Sequence, residues 1–269
     1  MVTVTVATGA FALVLAAAHV LAGRLSTLDP LSHDATLSFA GGVSVAYVFV
    51  LLLPEINEAV LDLVESREAV GSFFSRDVHV YVVVLLGFVL FYGIHSLVTQ
   101  ARSGSEGAGD AAGADGAEGG NDGDGASDAT GDEDASDAIF WAHVLSFTGY
   151  NALIGYLLFH QEESGLLNLL FYTVALALHF LVIDAGFRRH HGSVYDRVGR
   201  WILSGAVLVG AGVGLLMGVS EALLAVLFAF LAGSVVFNSI KEELPSPAGS
   251  RFVAFLGGAG LYTAILLFA

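Results

Sequence analysis

Long apolar runs separated by short polar stretches make up most of this chain. Eight such runs lie at approximately 3–23, 36–56, 79–100, 138–160, 165–187, 199–218, 220–243 and 250–268. A helix of about 20 apolar residues spans the hydrocarbon core of a bilayer and satisfies its own backbone hydrogen bonds there. The pattern therefore predicts an all-α polytopic membrane protein with eight transmembrane helices. The first run is too long for a secretory signal and no Lys or Arg precedes it, so it predicts a spanning helix.

One polar segment interrupts the apolar pattern. Residues 102–137 hold 11 of the 26 acidic residues, together with 10 Gly and 8 Ala, and contain no aromatic or large aliphatic residue. A segment with nothing to bury is predicted to be a disordered, solvated linker, and without His it is not expected to store metal. The predicted organisation is helices 1 to 3 in residues 1–101, the acidic linker in 102–137, and helices 4 to 8 in 138–269.

The basic residues predict the orientation. With eight spans and the N-terminus outside, eight basic residues fall on inner connections, namely Arg24, Arg102, Arg188, Arg189, Arg197, Arg200, Lys241 and Arg251. Only Arg67 and Arg76 fall outside. This excess follows the positive-inside rule. We therefore expect a multi-pass protein of the cell membrane with both termini outside and the acidic linker in the cytoplasm.

Composition narrows the functional classes. The chain is 55% hydrophobic and 13% charged, which excludes a water-soluble enzyme. Its formal net charge of −16 argues against nucleic acid as a partner, and its lack of Cys excludes thiolate chemistry. No GxSxG, Walker A or HExxH pattern occurs, so we expect neither an enzyme nor a tightly bound cofactor. The single Lys and the acid excess are typical of halophilic proteins.

Two of the runs are similar to each other. In the second run Pro54 follows Gly42 by twelve residues, and in the seventh run Pro245 follows Gly233 by the same interval, so that both pairs are offset by 191 positions. In the predicted topology these helices run in opposite directions. Inverted repeats of this kind are typical of carriers, whose substrate sites lie near the bilayer midplane.

Few polar side chains lie at membrane depth. They are His19, His95, His143, Asn151, His179, Asp184 and Asn238. Such groups are costly in lipid, so each is a candidate functional residue. His143 and Asn151 share a face of the fourth helix, and Asn168, Tyr172 and His179 share a face of the fifth. Imidazole and amide groups on facing helices suit a divalent cation.

Other interpretations apply to three of these residues. An interfacial ion pair with Arg188, one helical turn away, is at least as good an explanation of Asp184 as metal binding. His19 and His95 are expected to pack or to form interhelical hydrogen bonds.

These features resemble the ZIP (Zrt/Irt-like) family of zinc and iron transporters. The resemblance rests on Phe39 to Glu55 in the second run, on Phe230 to Pro245 in the seventh, and on the central pair of helices. It implies a 3+2+3 inverted-repeat bundle that moves divalent metal toward the cytoplasm without ATP. The family motif His-Asn-x-x-(Asp/Glu)-Gly is matched only by Asn151 and Gly155, with Tyr150 in place of the His and Ile154 in place of the carboxylate.

The motif of the fifth helix is also incomplete. His-Glu-x-Pro-His-Glu-x-Gly-Asp-Phe aligns with the stretch that begins at His179, keeping the first His, an acid at Asp184 and a Gly, with a Phe at Phe187, one position earlier than in the motif. The resemblance thus implies at most one weak metal site, built from Asn151 and His179 with His143, Asn238 and Asp184 as further candidates.

Two functions follow as expectations. The first is a carrier of zinc or a similar first-row metal, whose partners are the lipid bilayer and the divalent cation itself, with homodimer formation left open. The alternative is a protein of the same fold that has lost transport, together with several ligands, and acts as a sensor or scaffold. Its acidic linker would then be a tether for cytoplasmic proteins.

Overall fold

The computed structural model describes residues 2–25, 30–58, 78–114, 126–161, 165–243 and 251–268. Over these residues the protein is all-helical, with 95% helix and no strand. The predicted fold class is thereby confirmed at the level of an all-α protein. The physical reason is that the apolar runs offer no alternating pattern for strands, while a helix satisfies every backbone group within its own segment.

Within the described residues each predicted apolar run falls on a helix. The helices are α1 (Val2–Leu25), α2 (Pro30–Ala46), α3 (Val78–Ala114), α4 (Ala126–Leu157), α5 (Leu166–Val194), α6 (Arg200–Leu216), α7 (Glu221–Asn238) and α8 (Phe252–Phe268). Three π-helical segments extend or join them, at Tyr47–Leu52 after α2, Tyr195–Gly199 between α5 and α6, and Ser239–Glu243 after α7. Pro245, which closes the second copy of the predicted repeat, lies outside the described residues.

Five helical stretches in the described residues are long and apolar enough to cross a membrane. They are Val4–Gly23, Asp34–Glu58, His79–Gln100, Leu166–Leu216 and Glu221–Lys241. The fourth stretch contains both α5 and α6. By contrast, α4 carries several polar residues among its apolar ones, and α8 is a shorter apolar helix at Phe252–Phe268.

The helices beside the acidic segment extend into it. α3 continues to Ala114 and α4 begins at Ala126, whereas disorder is predicted for 102–137. Residues 115–125 lie outside the described residues. Ala has the strongest helix propensity, and a helix already nucleated in an apolar span gains one hydrogen bond for each added residue. The predicted boundaries at 101 and 138 therefore do not coincide with helix ends.

Close glycine crossings hold two pairs of helices together. On α2, a Cβ at Gly42 would collide with the carbonyl oxygen of Phe255 on α8, and on α8 a Cβ at Gly258 would collide with that of Phe39. The other pair, α3 and α7, packs in the same manner. There Gly233 abuts Val84 and Gly87 abuts Phe230. Small residues at such crossings let helix backbones approach closely in lipid.

The remaining helices form a group of four, in which α1, α4, α5 and α6 pack against one another. Gly210 of α6 lies against the backbone of Ala152, and Gly214 lies against that of Tyr156. The two glycines therefore let the backbones of α4 and α6 approach closely.

A glycine turns the chain at the end of α5. Gly192 has φ of +50° and ψ of −127°, in a region that side-chain-bearing residues rarely adopt. The turn lets the segment after α5 fold back toward the bundle, which places Tyr195 and Asp196 beside residues of α5. Both side chains matter for the site described below.

Apolar side chains also cover much of the outer surface. Among the exposed ones are Leu13, Leu85, Leu86, Leu97, Leu145, Val209, Leu216, Val253 and Leu267. A water-soluble protein rarely exposes so many large aliphatic residues along its helices. This surface is compatible with a protein embedded in lipid.

Candidate functional site

Three polar side chains from three helices meet inside the four-helix group. His19 of α1 lies between Asp184 of α5 and Asn151 of α4, and all three are 0% exposed. Nδ1 of His19 is 3.0 Å from Oδ1 and 3.1 Å from Oδ2 of Asp184. Nε2 of the same ring is 2.7 Å from Oδ1 of Asn151. We call Asn151, His19, Asp184 and Tyr195 the central network, since the Tyr195 hydroxyl donates a hydrogen bond to Asp184.

The amide of Asn151 is oriented by its own helix. Its Nδ2 donates to the carbonyl oxygen of Phe147, one turn earlier, at 2.8 Å. The amide oxygen is thereby turned toward His19 and can only accept. Nε2 of His19 must therefore carry a hydrogen and donate it.

The same reasoning fixes the net charge of the His19 and Asp184 pair. Nδ1 of His19 either donates to a carboxylate or accepts from a carboxylic acid, because Nε2 already carries a hydrogen. In both arrangements the pair is neutral overall. A neutral pair with every polar atom hydrogen-bonded is far less costly inside an apolar bundle than an isolated charge.

Packing holds the His19 ring in place. Phe180 stacks on it with 4.3 Å between ring centroids and an interplanar angle of 24°. The hydroxyl of Ser204 on α6 donates to the carbonyl oxygen of Ala16 at 2.9 Å, one turn before His19 on α1. The stacked Phe180 ring fixes the plane of the imidazole between its two partners, and the Ser204 bond joins α1 to α6 away from the ring.

His179 has a different partner from Asn151, although the two were expected in one site. Nε2 of His179 lies 2.9 Å from the hydroxyl of Tyr150, the residue before Asn151. Both His179 and Tyr150 are buried. The helix rotation between Tyr150 and Asn151 directs the first toward His179 and the second toward His19.

His143 lies nearer than Asn151 to the end of the bundle that carries Arg188, Arg189, Arg197 and Arg200, which we call the arginine-rich end. Its Nδ1 is 3.2 Å from Nε2 of His191, and Phe187 packs against its ring with 4.7 Å between centroids. His191 thus turns toward α4 and pairs with His143.

The remaining candidates lie elsewhere in the bundle. Asn238 is buried at the end of α7, and its Nδ2 has no hydrogen-bond partner among the described residues. Nδ2 of Asn168 donates to Glu55 at 3.3 Å, and the hydroxyl of Tyr172 donates to the carbonyl oxygen of Ile154 at 3.4 Å. The predicted face of α5 therefore points into the bundle, where each residue contacts a neighbouring helix.

The suggested Asp184–Arg188 ion pair is replaced by two other contacts. Asp184 bonds to His19 and Tyr195, while Nε of Arg188 donates to Oδ1 of Asp196 at 2.8 Å. The turn at Gly192 is the cause, because it returns Asp196 to the side of α5 that carries Arg188.

His19 is the residue whose role the sequence left least defined. Its interhelical hydrogen bonds were expected, but its two partners were not. The available signal is that His19 is the sole ionisable residue in its apolar run, and that Asp184 is the sole carboxylate in another. Two isolated groups of complementary chemistry in lipid gain most by pairing with each other.

Neither a metal cluster nor a known relative defines this site. In the part of the chain that the structure describes, no group of three or more His, Cys, Asp or Glu side chains could hold a metal ion. Comparison with protein-family models, curated proteins and solved structures finds no match for the chain.

Proposed function

We propose that this chain is an eight-span membrane carrier of inverted-repeat architecture that moves a divalent first-row metal cation toward the cytoplasm. The observation that carries the proposal is the convergence of His19, Asn151 and Asp184 at full burial. Ionisable groups inside apolar spans are costly, and in membrane proteins they mark substrate and ion pathways.

Equivalent packing of α2 and α7 supports the repeat. Gly42 and Gly233 are 191 positions apart, and each abuts a partner helix through a carbonyl oxygen. Phe39 on α2 and Phe230 on α7, whose carbonyl oxygens are approached by glycines of the partner helices, are also 191 positions apart. The π-helical segments that follow, Tyr47–Leu52 and Ser239–Glu243, also overlap at this offset. Local π-helical geometry is frequent at functional sites in helices.

Polar residues at several depths along α5 support a pathway. From one end of the helix toward the other, Asn168, Tyr172, His179 and Asp184 each contact a neighbouring helix. At the rise of an α-helix, Asn168 and Asp184 are separated by about 24 Å along the axis. That distance covers most of a hydrocarbon core of about 30 Å.

The donor atoms of the central network suit a first-row metal. Carboxylate, imidazole and amide oxygen are all ligands that such cations accept. In the described arrangement these atoms bond to one another, so a cation entering between α1, α4 and α5 must displace His19 from Asp184 or Asn151. The proposal therefore includes a movement of α1 or of the His19 ring during transport.

Uptake by proteoliposomes tests the proposal. Purified wild-type protein, Asp184→Asn and Ser204→Ala should be compared for uptake of zinc, iron, manganese and cobalt. Ser204→Ala is the matched control, because it removes a buried interhelical hydrogen bond outside the central network. We expect uptake of at least one metal by the wild type and the control, and loss of uptake in Asp184→Asn. Folded wild-type protein that transports none of these metals would contradict the proposal.

A sensor or scaffold without transport is the second candidate. It is favoured by the hydrogen bonds within the central network. Both ring nitrogens of His19, and both the amide oxygen and the amide nitrogen of Asn151, already have protein partners. Thermal unfolding of the purified protein with and without metal separates the two functions. A metal-dependent rise in the melting temperature that disappears in Asp184→Asn favours the carrier, whereas a melting temperature insensitive to metal favours the sensor or scaffold.

A further inference from the structure

A pocket with both apolar and charged lining residues lies at the arginine-rich end of the bundle, outside the central network. It has a volume of about 380 Å³ and is lined by Val20, Leu21, Gly23, Asp196 and Arg200. The pocket is therefore formed by the end of α1 together with the π-helical segment and the first residue of α6. We call it the arginine pocket.

Two guanidinium groups, that of Arg200 in the lining of the pocket and that of Arg188 beside Gly23, have unused donors. Nη2 of Arg188 and Nε of Arg200 are buried and have no hydrogen-bond partner among the described residues. Buried charged donors without an acceptor are energetically expensive, so their presence indicates that an acceptor is missing. Arg188 is also held in position, because its Nε donates to Asp196 at 2.8 Å and its guanidinium carbon lies 5.6 Å from the centre of the Tyr195 ring.

Gly23 brings the two guanidinium groups to one place. A Cβ at Gly23 would lie 3.2 Å from Nη2 of Arg188 and 3.7 Å from Nη1 of Arg200. Both groups therefore approach the same side-chain-free point on α1. Two arginines converging on one space are typical of sites for phosphate and carboxylate anions, which accept several hydrogen bonds at once.

The charge and the surroundings of the pocket narrow the ligand class. The two arginines and the one carboxylate of Asp196 leave a single positive charge in excess, which matches a monoanion. The half-exposed Leu21 and the exposed Trp201, over which Arg200 lies at 5.3 Å, border the site. An aromatic residue next to basic ones is typical of the membrane interface.

We propose that the arginine pocket binds a singly charged phosphate group at the inner surface of the membrane. The phosphodiester of an anionic lipid and free inorganic phosphate share this chemistry. The inference does not depend on metal transport. It does link the pocket to the central network, because Tyr195 contacts Arg188 on one side and donates to Asp184 on the other.

Ligand-dependent thermal stability of the full chain tests the inference. The protein in uncharged detergent, at constant ionic strength, should be titrated separately with sodium phosphate, short-chain phosphatidylglycerol and short-chain phosphatidylcholine. We expect a saturable rise in melting temperature with at least one of the first two ligands and none with phosphatidylcholine. A rise with phosphate indicates a free anion as ligand, and a rise with phosphatidylglycerol alone indicates a lipid.

Two double variants show whether the pocket is responsible. Arg188→Gln with Arg200→Gln removes both converging charged donors and should weaken binding about tenfold or more, because each loses a charge-assisted hydrogen bond to the anion. Arg189→Gln with Arg197→Gln removes the same charge from two exposed positions nearby and should bind as the wild type does. Equal losses in both double variants would overturn the inference, as would the absence of saturable binding to phosphate and phosphatidylglycerol.

A third variant covers the case in which the first double variant does not fold. Gly23→Val keeps every charge and places a side chain between the two guanidinium groups. It should reduce the affinity for the ligand while the protein remains folded. Wild-type affinity in Gly23→Val would also overturn the inference.

Discussion

His19 and Asp184 are 165 residues apart in the chain, and their side chains lie 3.0 Å apart in the centre of the bundle. The pair connects α1 to α5, and Asn151 extends the connection to α4. One imidazole thereby joins three helices of the four-helix group. Its loss should therefore affect stability as well as function.

Removing one partner of this pair should lower the free energy of unfolding more than removing both partners does. His19→Leu leaves Asp184 buried without its imidazole, and breaking a buried pair in this manner costs about 3–5 kcal/mol in the free energy of unfolding. The double variant His19→Leu with Asp184→Leu leaves no isolated ionisable group. It should recover part of that loss, although the Asn151 amide oxygen and the Tyr195 hydroxyl each lose a partner. Unfolding by denaturant in detergent micelles measures both values. Additive losses in the double variant would show that the two residues are not coupled.

The hydroxyl of Tyr195 should stabilise Asp184. Tyr195→Phe keeps the ring, which stacks on Phe187 with 5.0 Å between centroids, but removes the hydrogen bond to Asp184. We expect a loss of about 1 kcal/mol in the free energy of unfolding, in line with a single hydrogen bond. Tyr156→Phe is the control, because the Tyr156 hydroxyl is buried without a partner among the described residues. An equal loss in both variants would argue against the Asp184 contact.

Replacing glycine by alanine should lower the free energy of unfolding at crowded positions and raise it at open ones. Gly42→Ala drives a methyl group into the carbonyl oxygen of Phe255, so α2 and α8 must separate. Overpacking of this kind costs about 1–3 kcal/mol. The methyl group added by Gly93→Ala on α3 has no atom within 4 Å, so this substitution should stabilise the helix by up to about 1 kcal/mol. Thermal unfolding of the two variants checks the prediction, and destabilisation by Gly93→Ala would count against the described helix packing.

Gly192 should be intolerant of a side chain for a conformational reason. Its φ of +50° strains any residue with a Cβ, although no atom stands near the Cβ position. Gly192→Ala should therefore destabilise the protein by about 1–2 kcal/mol. Gly205→Ala, in an open position within α6, should not. If both variants melt at the same temperature, the turn after α5 is not as described.

The apolar pattern was sufficient to predict an all-helical protein. It was not sufficient to predict the partners within the central network. Each predicted run falls on a helix because helix formation in lipid depends on local composition. The partners of His19 depend instead on how α1 packs against α4 and α5, and no spacing within one helix encodes that. Similarly, the four-residue spacing of Asp184 and Arg188 suggested an ion pair, but the turn at Gly192 brings Asp196 to Arg188.

The acidic segment shows a second property that its own composition does not encode, namely where the neighbouring helices end. Its composition predicts a disordered linker, because it has no aromatic or large aliphatic residue to bury, and this stays a prediction. The helices on either side nevertheless continue into it, to Ala114 and from Ala126. Helix propagation from a spanning segment does not require burial, and this contribution is absent from an argument based on composition alone.

The state of the His19 ring nitrogens tests the central network most directly. Nitrogen-15 NMR of histidine-labelled protein in bilayers, with His19→Leu used to assign the signal, reports whether each nitrogen is hydrogen-bonded. The account predicts that Asn151→Leu changes the Nε2 signal, that Asp184→Leu changes the Nδ1 signal, and that Ser204→Ala changes neither substantially. A His19 signal that is unaffected by both Asn151→Leu and Asp184→Leu would contradict the account.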